Sequence, residues 1–335
     1  MEPLRVGIDV SPLALTRAGT ARHIRSLLDE LDDRPEVQLR RYAFGGANRA
    51  VVPVRDLGWY LAALPAQARR DRMDVLHCPT HRAPFRSRVP LVVTFHDLAV
   101  LRHPETFNRW TRTYSRLALP RVAKTARRLI AVSEFTRREL LELLDVPEEK
   151  IRVIPNAASD AFRPDGDAAD GDYVLAVSTL EPRKNLRRII DGFQRAKLNG
   201  CRLLVAGMQG WGDVDLDGRG VEWLGFVHDS ELARLYRGAR CVAYVSLYEG
   251  FGLPLLEALA CGAPVVAARN EAAQEVAGDA AVLVDPLDPD AIAAGIAEAS
   301  QRRDELRKLG LERAATFSWA EAARATVEVY REAAG

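Results

Sequence analysis

One stretch of the chain, SLYEGFGLPLLEALACG from Ser246 to Gly262, constrains the fold more than any other. The apolar run CVAYVS leads into it and predicts a buried strand. The turn Gly250–Gly252 follows, and Pro254 favours the first turn of a helix, where its missing N–H costs nothing. A strand, a glycine turn and a helix in this order bring free backbone N–H groups and the positive end of a helix dipole together. This arrangement is typical of a phosphate site.

Two carboxylates flank the turn. Glu249 precedes it, and Glu257 lies about one turn inside the predicted helix. Helical side chains lean toward the N-terminus, so Glu257 is expected to point back at the turn. An anion site between two carboxylates suits a ligand that is anionic in the middle and rich in hydroxyls at both ends, such as a nucleotide-sugar. The alternative is a buried strand–helix unit with a solvated glutamate at the helix start.

The spacing from Glu249 to Glu257 resembles the E-x7-E motif of retaining glycosyltransferases of the group-1 type, family GT4. The longer run EGFGLPLLEALACGAPVVA is similar to that family almost without gaps. The resemblance extends over nearly the whole chain and is sharper in the second half. It implies the GT-B fold, in which two Rossmann-like, doubly wound parallel-sheet domains face a cleft. It also implies transfer of a mannose- or glucose-like hexose from a nucleoside diphosphate sugar to a hydroxyl of a glycan, lipid-linked glycan or small molecule.

The order of apolar runs independently predicts an α/β protein, because strands and helices alternate as in a doubly wound parallel sheet. Residues 161–172 are rich in Asp, Gly and Pro and predict a linker between domains 1–160 and 173–318. Ligands of such sheets bind beyond the carboxyl ends of the strands. By resemblance, the first domain faces the acceptor, the second binds the donor, and a last helix at 319–335 packs back on the first.

The segment STLEPRKN, Ser178–Asn185, follows the first strand of the second domain. Arg183 and Lys184 stand before a predicted helix, and two cations there strengthen an anion site. The segment resembles the GTLEPRKN run of the family, whose lysine binds the donor diphosphate. Thr179 replaces an arginine found in some members. The alternative is a pair of solvated charges at a turn.

In the first domain, two positions resemble family site residues. His96 ends the apolar run VPLVVTFHDL, and the resemblance places it against the donor sugar; a local hydrogen-bonding histidine is the alternative. Gly19 matches the first glycine of a GIGRY turn in which Ala21 and His23 replace the second glycine and the tyrosine. Its alternative is a plain turn residue.

The resemblance completes the predicted site. Glu249 and the turn would hold the sugar, Glu257 the ribose, the amides after Gly252 the diphosphate, and the backbone near residue 226 the base. The predicted catalytic residues are His96 and Glu249. The predicted donor-binding residues are Gly19, Arg183, Lys184, Phe226, Val227, Gly250, Phe251, Gly252, Leu253 and Glu257.

No metal or other cofactor is expected. Asp213, Asp215 and Asp217 match the first half of a calcium loop, but the twelfth position is Leu224 rather than glutamate. His77, Cys78 and His81 form a second candidate cluster. Pro79 disfavours a continuous helix there, so the two histidines need not share one face. The four cysteines, Cys78, Cys201, Cys241 and Cys261, are predicted to be buried thiols.

Charge is unevenly distributed along the chain. Residues 1–165 carry a net charge of +8 and the remainder −7, which indicates either an anionic partner or attraction between the domains. The basic helix predicted at 109–127 either contacts an anionic membrane or packs on its own sheet. No apolar run reaches membrane-spanning length, and no signal peptide is evident. These features predict a cytoplasmic protein that binds no nucleic acid, with contact to the inner face of the membrane left open.

Two alternatives to a transferase stay open at this point. One is a non-catalytic nucleotide-sugar-binding subunit, favoured only by the changes at Thr179 and Ala21. The other is another GT-B enzyme, such as a sugar epimerase. Hydrolysis of the donor by the purified protein separates the first alternative from a transferase.

Overall fold

The computed structural model describes residues 2–14, 19–45, 52–210 and 216–335. Contacts divide the chain into two units, Met1–Asn156 with Trp319–Gly335, and Ala157–Ser318. Each unit contains a six-stranded sheet in which the paired strands run parallel. Helices connect the strands, which confirms the α/β prediction of two doubly wound parallel sheets.

The first unit has the strand order β2-β1-β3-β4-β5-β6. Its strands are β1 (Leu4–Asp9), β2 (Val37–Tyr42), β3 (Val75–Cys78), β4 (Leu91–Phe95), β5 (Arg128–Ala131) and β6 (Ile151–Val153). Its helices before the second unit are α1 (Gly19–Asp32), α2 (Val52–Val54), a π-helix (Arg55–Ala63), α3 (Leu64–Arg70), α4 (Ala99–Arg102), α5 (Arg109–Thr125) and α6 (Glu134–Leu144).

The second unit has the strand order β12-β11-β10-β7-β8-β9. Its strands are β7 (Tyr173–Val177), β8 (Arg202–Ala206), β9 (Val221–Gly225), β10 (Cys241–Tyr244), β11 (Val265–Ala268) and β12 (Ala281–Val284). Its helices are α7 (Leu186–Arg195), α8 (Asp229–Gly238), α9 (Leu253–Ala260), α10 (Glu271–Ala277), α11 (Pro289–Gln301) and α12 (Arg303–Ala314). Because β7 and β10 are neighbours, the segments that follow them lie side by side at the carboxyl edge of the sheet.

The apolar runs form strands because both faces of these sheets are covered by helices, so nearly every strand residue can be apolar. Every residue of β4 is buried, and so is every residue of β10. The four cysteines are buried and free, as predicted.

The last helix, α13 (Trp319–Ala334), packs on the first unit. The Tyr330 hydroxyl lies 2.8 Å from Nδ1 of His77 in β3. Glu332 forms ion pairs with Arg128 at 2.8 Å and Arg152 at 2.9 Å. The helix therefore joins the first sheet through both a buried hydrogen bond and half-exposed charges.

The segment predicted as a linker contacts the second unit. Phe162 is buried with its ring centroid 5.8 Å from that of Tyr236 on α8. Arg237 donates hydrogen bonds to the carbonyl oxygens of Arg163 at 3.1 Å and Asp167 at 2.8 Å. The α8 arginine therefore binds the backbone of the segment predicted as a linker.

Candidate active site

The segment after β7 is fixed by its own backbone and by one asparagine. Residues Pro182–Lys184 form a 3₁₀ turn, and Asn185 adopts a left-handed conformation with φ +60°. The Asn185 side chain donates to the carbonyl oxygens of Val245 at 3.0 Å and Pro286 at 2.7 Å. Asn185 thus joins the end of β7 to the segments after β10 and β12, and it holds Lys184 at the carboxyl edge of the sheet.

The segments after β7 and β10 are bound to each other. The Leu247 N–H donates to the carbonyl oxygen of Arg183 at 2.8 Å, and the Arg183 guanidinium donates to that of Tyr248 at 3.2 Å. Two stretches that are about 60 residues apart in sequence therefore form one surface. The structure brings Arg183, Lys184 and Glu249 together there.

These residues form a buried ionic network with Glu181, which we call the Lys184 cluster (Glu181, Arg183, Lys184 and Glu249). Lys184 Nζ lies 2.5 Å from Glu249 Oε1, and Arg183 lies 3.2 Å from Glu249 Oε2. Arg183 also binds Glu181 at 2.9 Å. All four side chains are 14% exposed or less, so the two cations are neutralised by two carboxylates away from bulk water.

The electrostatics of the cluster favour the ionised carboxylate of Glu249. Burial alone would raise the pKa of Glu249, but the charges of Lys184 and Arg183 and the hydrogen bond from Lys184 lower it to about 2. Burial, followed by the charge of Arg183, lowers the pKa of Lys184, and Glu249 opposes this change. Burial raises the pKa of Glu181. Lys184 and Glu249 thus each favour the charged form of the other.

The turn at Gly252 starts α9 as the sequence predicted. Gly252 has φ +110°, a backbone conformation that residues with a side chain rarely adopt. Its carbonyl oxygen accepts hydrogen bonds from the N–H groups of Leu255 at 3.1 Å and Leu256 at 3.2 Å. Pro254 stands in the first turn. Phe251 is buried, with its ring centroid 5.8 Å from that of Phe317. Gly250 and Leu253 are also buried, so the turn is packed on the unit.

Glu257 lies on α9 and is 1% exposed. Its Oε2 accepts a hydrogen bond from the Tyr236 hydroxyl at 3.3 Å. Tyr236, on α8, did not figure in the predicted site, because a tyrosine in an amphipathic helix is typical of a core. The two glutamates of the motif therefore have different partners: Lys184 and Arg183 bind Glu249, and Tyr236 binds Glu257.

Phe226 and Val227 follow β9, the edge strand of the second sheet. Phe226 is 37% exposed, with its ring centroid 5.1 Å from that of His228. Gly225 before it has φ +69°, and its carbonyl oxygen accepts from the Gly207 N–H at 2.8 Å. These residues share the carboxyl edge with the Lys184 cluster. β7 and β8 separate β9 from β10 in the sheet order.

His96 follows β4 at the carboxyl edge of the first sheet. Its Nε2 lies 3.0 Å from the carbonyl oxygen of Pro79, and its ring packs edge-on against His23 with centroids 4.6 Å apart. Burial lowers the pKa of His96, so the neutral imidazole donates through Nε2 and presents Nδ1 as an acceptor. Sequence reasoning noted His23 only as a replacement for a tyrosine. In the structure, His23 Nδ1 also forms a hydrogen bond with Asn156 Oδ1 at 2.7 Å.

Gly19 is the first residue of α1. The rest of the turn that resembles GIGRY before it, residues 15–18, lies outside the described residues. The helix buries Ala21 and His23 on the first unit. The predicted role of Gly19 in donor binding therefore stays a prediction.

One histidine of the candidate metal clusters has other partners in the structure. Both ring nitrogens of His77 are hydrogen-bonded, Nδ1 to Tyr330 at 2.8 Å and Nε2 to Thr94 at 2.9 Å. Asp213 and Asp215 lie outside the described residues. Within the described part of the chain, no group of three His, Cys, Asp or Glu side chains is arranged to hold a metal ion. The absence of a metal requirement stays a prediction.

The basic helix α5 combines a buried and an exposed apolar face. Tyr114 and Val122 are buried on the first unit, whereas Trp110 is 38% exposed and Leu117 is 56% exposed. Trp110 Nε1 donates to Asp56 at 3.1 Å. No helix among the described ranges is long and apolar enough to cross a membrane. Contact of α5 with a membrane surface stays a prediction.

Comparison with known proteins identifies the family. The model for glycosyl transferases group 1 matches residues 159–314, and the model for Glycosyltransferase Family 4 matches residues 17–161. O-antigen chain mannosyltransferase B of Escherichia coli is 34% identical over 293 residues, which cover 79% of this chain and 76% of that protein. This chain belongs to glycosyltransferase family 4. It is a glycosyltransferase, as the E-x7-E motif predicted.

Other relatives agree with this assignment. The MMP alpha-(1->4)-mannosyltransferase of Mycolicibacterium hassiacum is 30% identical over 235 residues, or 64% of this chain and 56% of that protein. Among solved structures, sucrose-phosphate synthase from Thermosynechococcus elongatus aligns with a TM-score of 0.80 at 20% identity, over 98% of both chains. HepE of Anabaena in complex with UDP-glucose aligns with a TM-score of 0.74 at 19% identity, over 97% of this chain and 98% of that one. These structures confirm the GT-B fold.

Proposed function

We propose that this glycosyltransferase transfers mannose, or a similar hexose, from a nucleoside diphosphate sugar to a hydroxyl of a growing glycan, with retention of configuration. The observation that carries the proposal is the Lys184 cluster, in which two cations bind Glu249, the residue directly before the Gly250–Gly252 turn that leads into α9. Relatives named as mannosyltransferases support the sugar, and those named for O-antigen chains support a glycan acceptor. A lipid-linked or small-molecule acceptor is the alternative.

The cluster suggests how the donor binds. A diphosphate offers Lys184 and Arg183 a ligand with more negative charge than the single carboxylate of Glu249, together with backbone N–H groups at the start of α9. Transfer of the two cations to the diphosphate would leave the Glu249 carboxylate available to the sugar hydroxyls. Glu257, beside Tyr236, would bind the ribose. The residues after β9 would meet the base.

The chemistry follows from this arrangement. As the bond between the anomeric carbon and the diphosphate oxygen breaks, negative charge grows on the diphosphate, and Lys184 and Arg183 stabilise it. The acceptor oxygen bonds to the anomeric carbon on the same face, and its proton passes to the departing phosphate oxygen. The resemblance of the Glu249–Glu257 motif to that of retaining enzymes supports this front-face course. The contact of His96 with the donor sugar, which the family resemblance implies, stays a prediction.

Donor hydrolysis tests the proposal. Purified protein is incubated with GDP-mannose, UDP-glucose and UDP-galactose without acceptor, and the free hexose and nucleoside diphosphate are measured. We expect slow release from one donor, with GDP-mannose or UDP-glucose preferred, and faster release with a mannan oligosaccharide. Binding of a nucleotide-sugar without turnover in either assay would favour the non-catalytic subunit.

Metal independence is a separate prediction. Because Lys184 and Arg183 would neutralise the diphosphate in place of a metal, we expect donor turnover to persist in excess EDTA. The measurement is turnover before and after chelation, followed by addition of magnesium or manganese. Complete loss on chelation with recovery on adding either ion would contradict the prediction and return attention to the loop containing Asp217.

A further inference from the structure

Tyr244, the last residue of β10, has a buried hydroxyl that forms no hydrogen bond within the described part of the chain. The side chain is 3% exposed, and no group among the described residues lies in hydrogen-bonding geometry with its hydroxyl. By contrast, the buried Tyr173 hydroxyl of the same unit donates to the Leu235 carbonyl oxygen at 2.9 Å. A buried hydroxyl without a protein partner destabilises a fold, and phenylalanine would fill the same space without this cost.

The Tyr244 hydroxyl lies under the Gly252 turn. A Cβ atom placed on Gly252 would be 3.3 Å from the hydroxyl oxygen. The phenol is also close to both motif glutamates. After burial, the charge of Glu249 and the approach of its carboxylate to the hydroxyl raise the pKa of Tyr244, and Glu257 adds to this effect. The hydroxyl lies beside the Glu249 carboxylate but outside hydrogen-bonding geometry in the free protein. The Tyr244 hydroxyl therefore lies among residues of the predicted donor site.

Binding of a diphosphate would remove the cations that stabilise the buried Glu249 carboxylate. In the free protein, Lys184 and Arg183 provide the cations that neutralise this carboxylate, which is 8% exposed. A diphosphate that takes these cations leaves a buried carboxylate that keeps a hydrogen bond with the Ser246 side chain, and a further donor stabilises it. Tyr244 is a neighbouring donor with no competing protein acceptor among the described residues.

We propose that Tyr244 is a positioning residue, whose hydroxyl donates to Glu249 when a nucleoside diphosphate takes Lys184 and Arg183. The hydrogen bond keeps Glu249 oriented toward the donor sugar while its cations bind the diphosphate. This inference rests on the proposed function and adds to it a residue that the E-x7-E motif does not include.

The test is Tyr244→Phe, compared with Tyr173→Phe as a matched control in the same unit. For Tyr244→Phe we expect the melting temperature of the free protein to rise by about 2–4 °C, because an unpaired hydroxyl is removed. We expect its affinity for GDP or UDP to fall about tenfold, since the freed Glu249 lacks the Tyr244 donor and competes for Lys184. Tyr173→Phe loses a formed hydrogen bond, so its melting temperature should fall while its nucleotide affinity stays unchanged.

A double-mutant cycle assigns the effect to Glu249. In a Glu249→Gln background, Tyr244→Phe should no longer change nucleotide affinity, because no carboxylate competes for Lys184. A Tyr244→Phe variant that binds GDP and UDP like the wild type overturns the inference. So does a melting temperature that falls as it does for Tyr173→Phe. If the wild type binds neither nucleotide nor any nucleotide-sugar, the proposed function fails and the inference fails with it.

Discussion

Lys184→Ala is expected to weaken the binding of free nucleoside diphosphate by about 10- to 100-fold, because it removes a charge-assisted contact of ~1.5–3 kcal/mol. The structure adds a second effect. Lys184 lies 2.5 Å from the buried Glu249, so the variant leaves this carboxylate with Arg183 alone. Removing one partner of a buried ion pair costs about 3–5 kcal/mol, and the unfolding free energy should fall at pH 7.

The pH dependence separates the two effects. The cations lower the pKa of Glu249 from 4.5 to about 2, so its contribution to stability is present above pH 4.5 and is lost as the pH falls toward 2. The stability difference between wild type and variant should therefore shrink across this interval. Affinity is measured by calorimetry at pH 7, where both proteins are folded.

Lys308→Ala is the matched control, because Lys308 is an exposed residue of α12 in the same unit. It should change neither diphosphate affinity nor stability appreciably. A folded Lys184→Ala variant with wild-type affinity would place the diphosphate elsewhere. It would also reduce the Lys184 cluster to a structural ion-pair network.

The sequence predicted the elements of the second unit well because local signals agreed. Apolar runs such as CVAYVS are long enough for a strand and too short for a helix, and the glycine turn with Pro254 fixes where α9 begins. Gly252 shows why glycine is required there, since its φ is +110°. The predicted direction of Glu257 depended only on this helix start and on the lean of helical side chains.

The sequence did not predict which charges meet. Glu249 and Lys184 are 65 residues apart, and their pairing depends on β10 lying next to β7. Strand order is a property of the whole sheet, and no local pattern around either residue encodes it. The sequence therefore assigned Lys184 to a diphosphate and Glu249 to a sugar, without indicating that the two bind each other in the free protein.

Tyr244 was missed for a different reason. A tyrosine on a strand that is buried on both faces has the pattern of a core residue, and its ring does pack as one. The positions of Gly252 and Glu249 in the fold are what show that its hydroxyl lies at the predicted donor site. The contact between His23 and Asn156 is similar, because 133 residues separate two side chains that share one hydrogen bond.

The two motif glutamates should respond in opposite directions to removal of their charge. In the free protein, Glu249 competes with a diphosphate for Lys184 and Arg183. Glu249→Gln should therefore raise the affinity for free nucleoside diphosphate by about tenfold, equivalent to ~1.4 kcal/mol. The same change should lower donor turnover by about 10- to 100-fold, because the sugar hydroxyls lose a charged acceptor.

Glu257→Gln should instead lower the affinity for the diphosphate. The Tyr236 hydroxyl donates to Glu257 Oε2 at 3.3 Å, whereas the carboxylate that pairs with Lys184 at 2.5 Å is that of Glu249. Loss of a charged acceptor for the ribose should lower diphosphate affinity by about 5- to 100-fold and leave turnover at saturating donor nearly unchanged. Glutamine preserves the size of both side chains, so the pair of variants is matched. Titration with the diphosphate alone, followed by turnover at saturating donor, measures both quantities. Equal losses of affinity in the two variants would contradict the division between sugar and ribose, because a shared effect means that both carboxylates bind the same part of the donor.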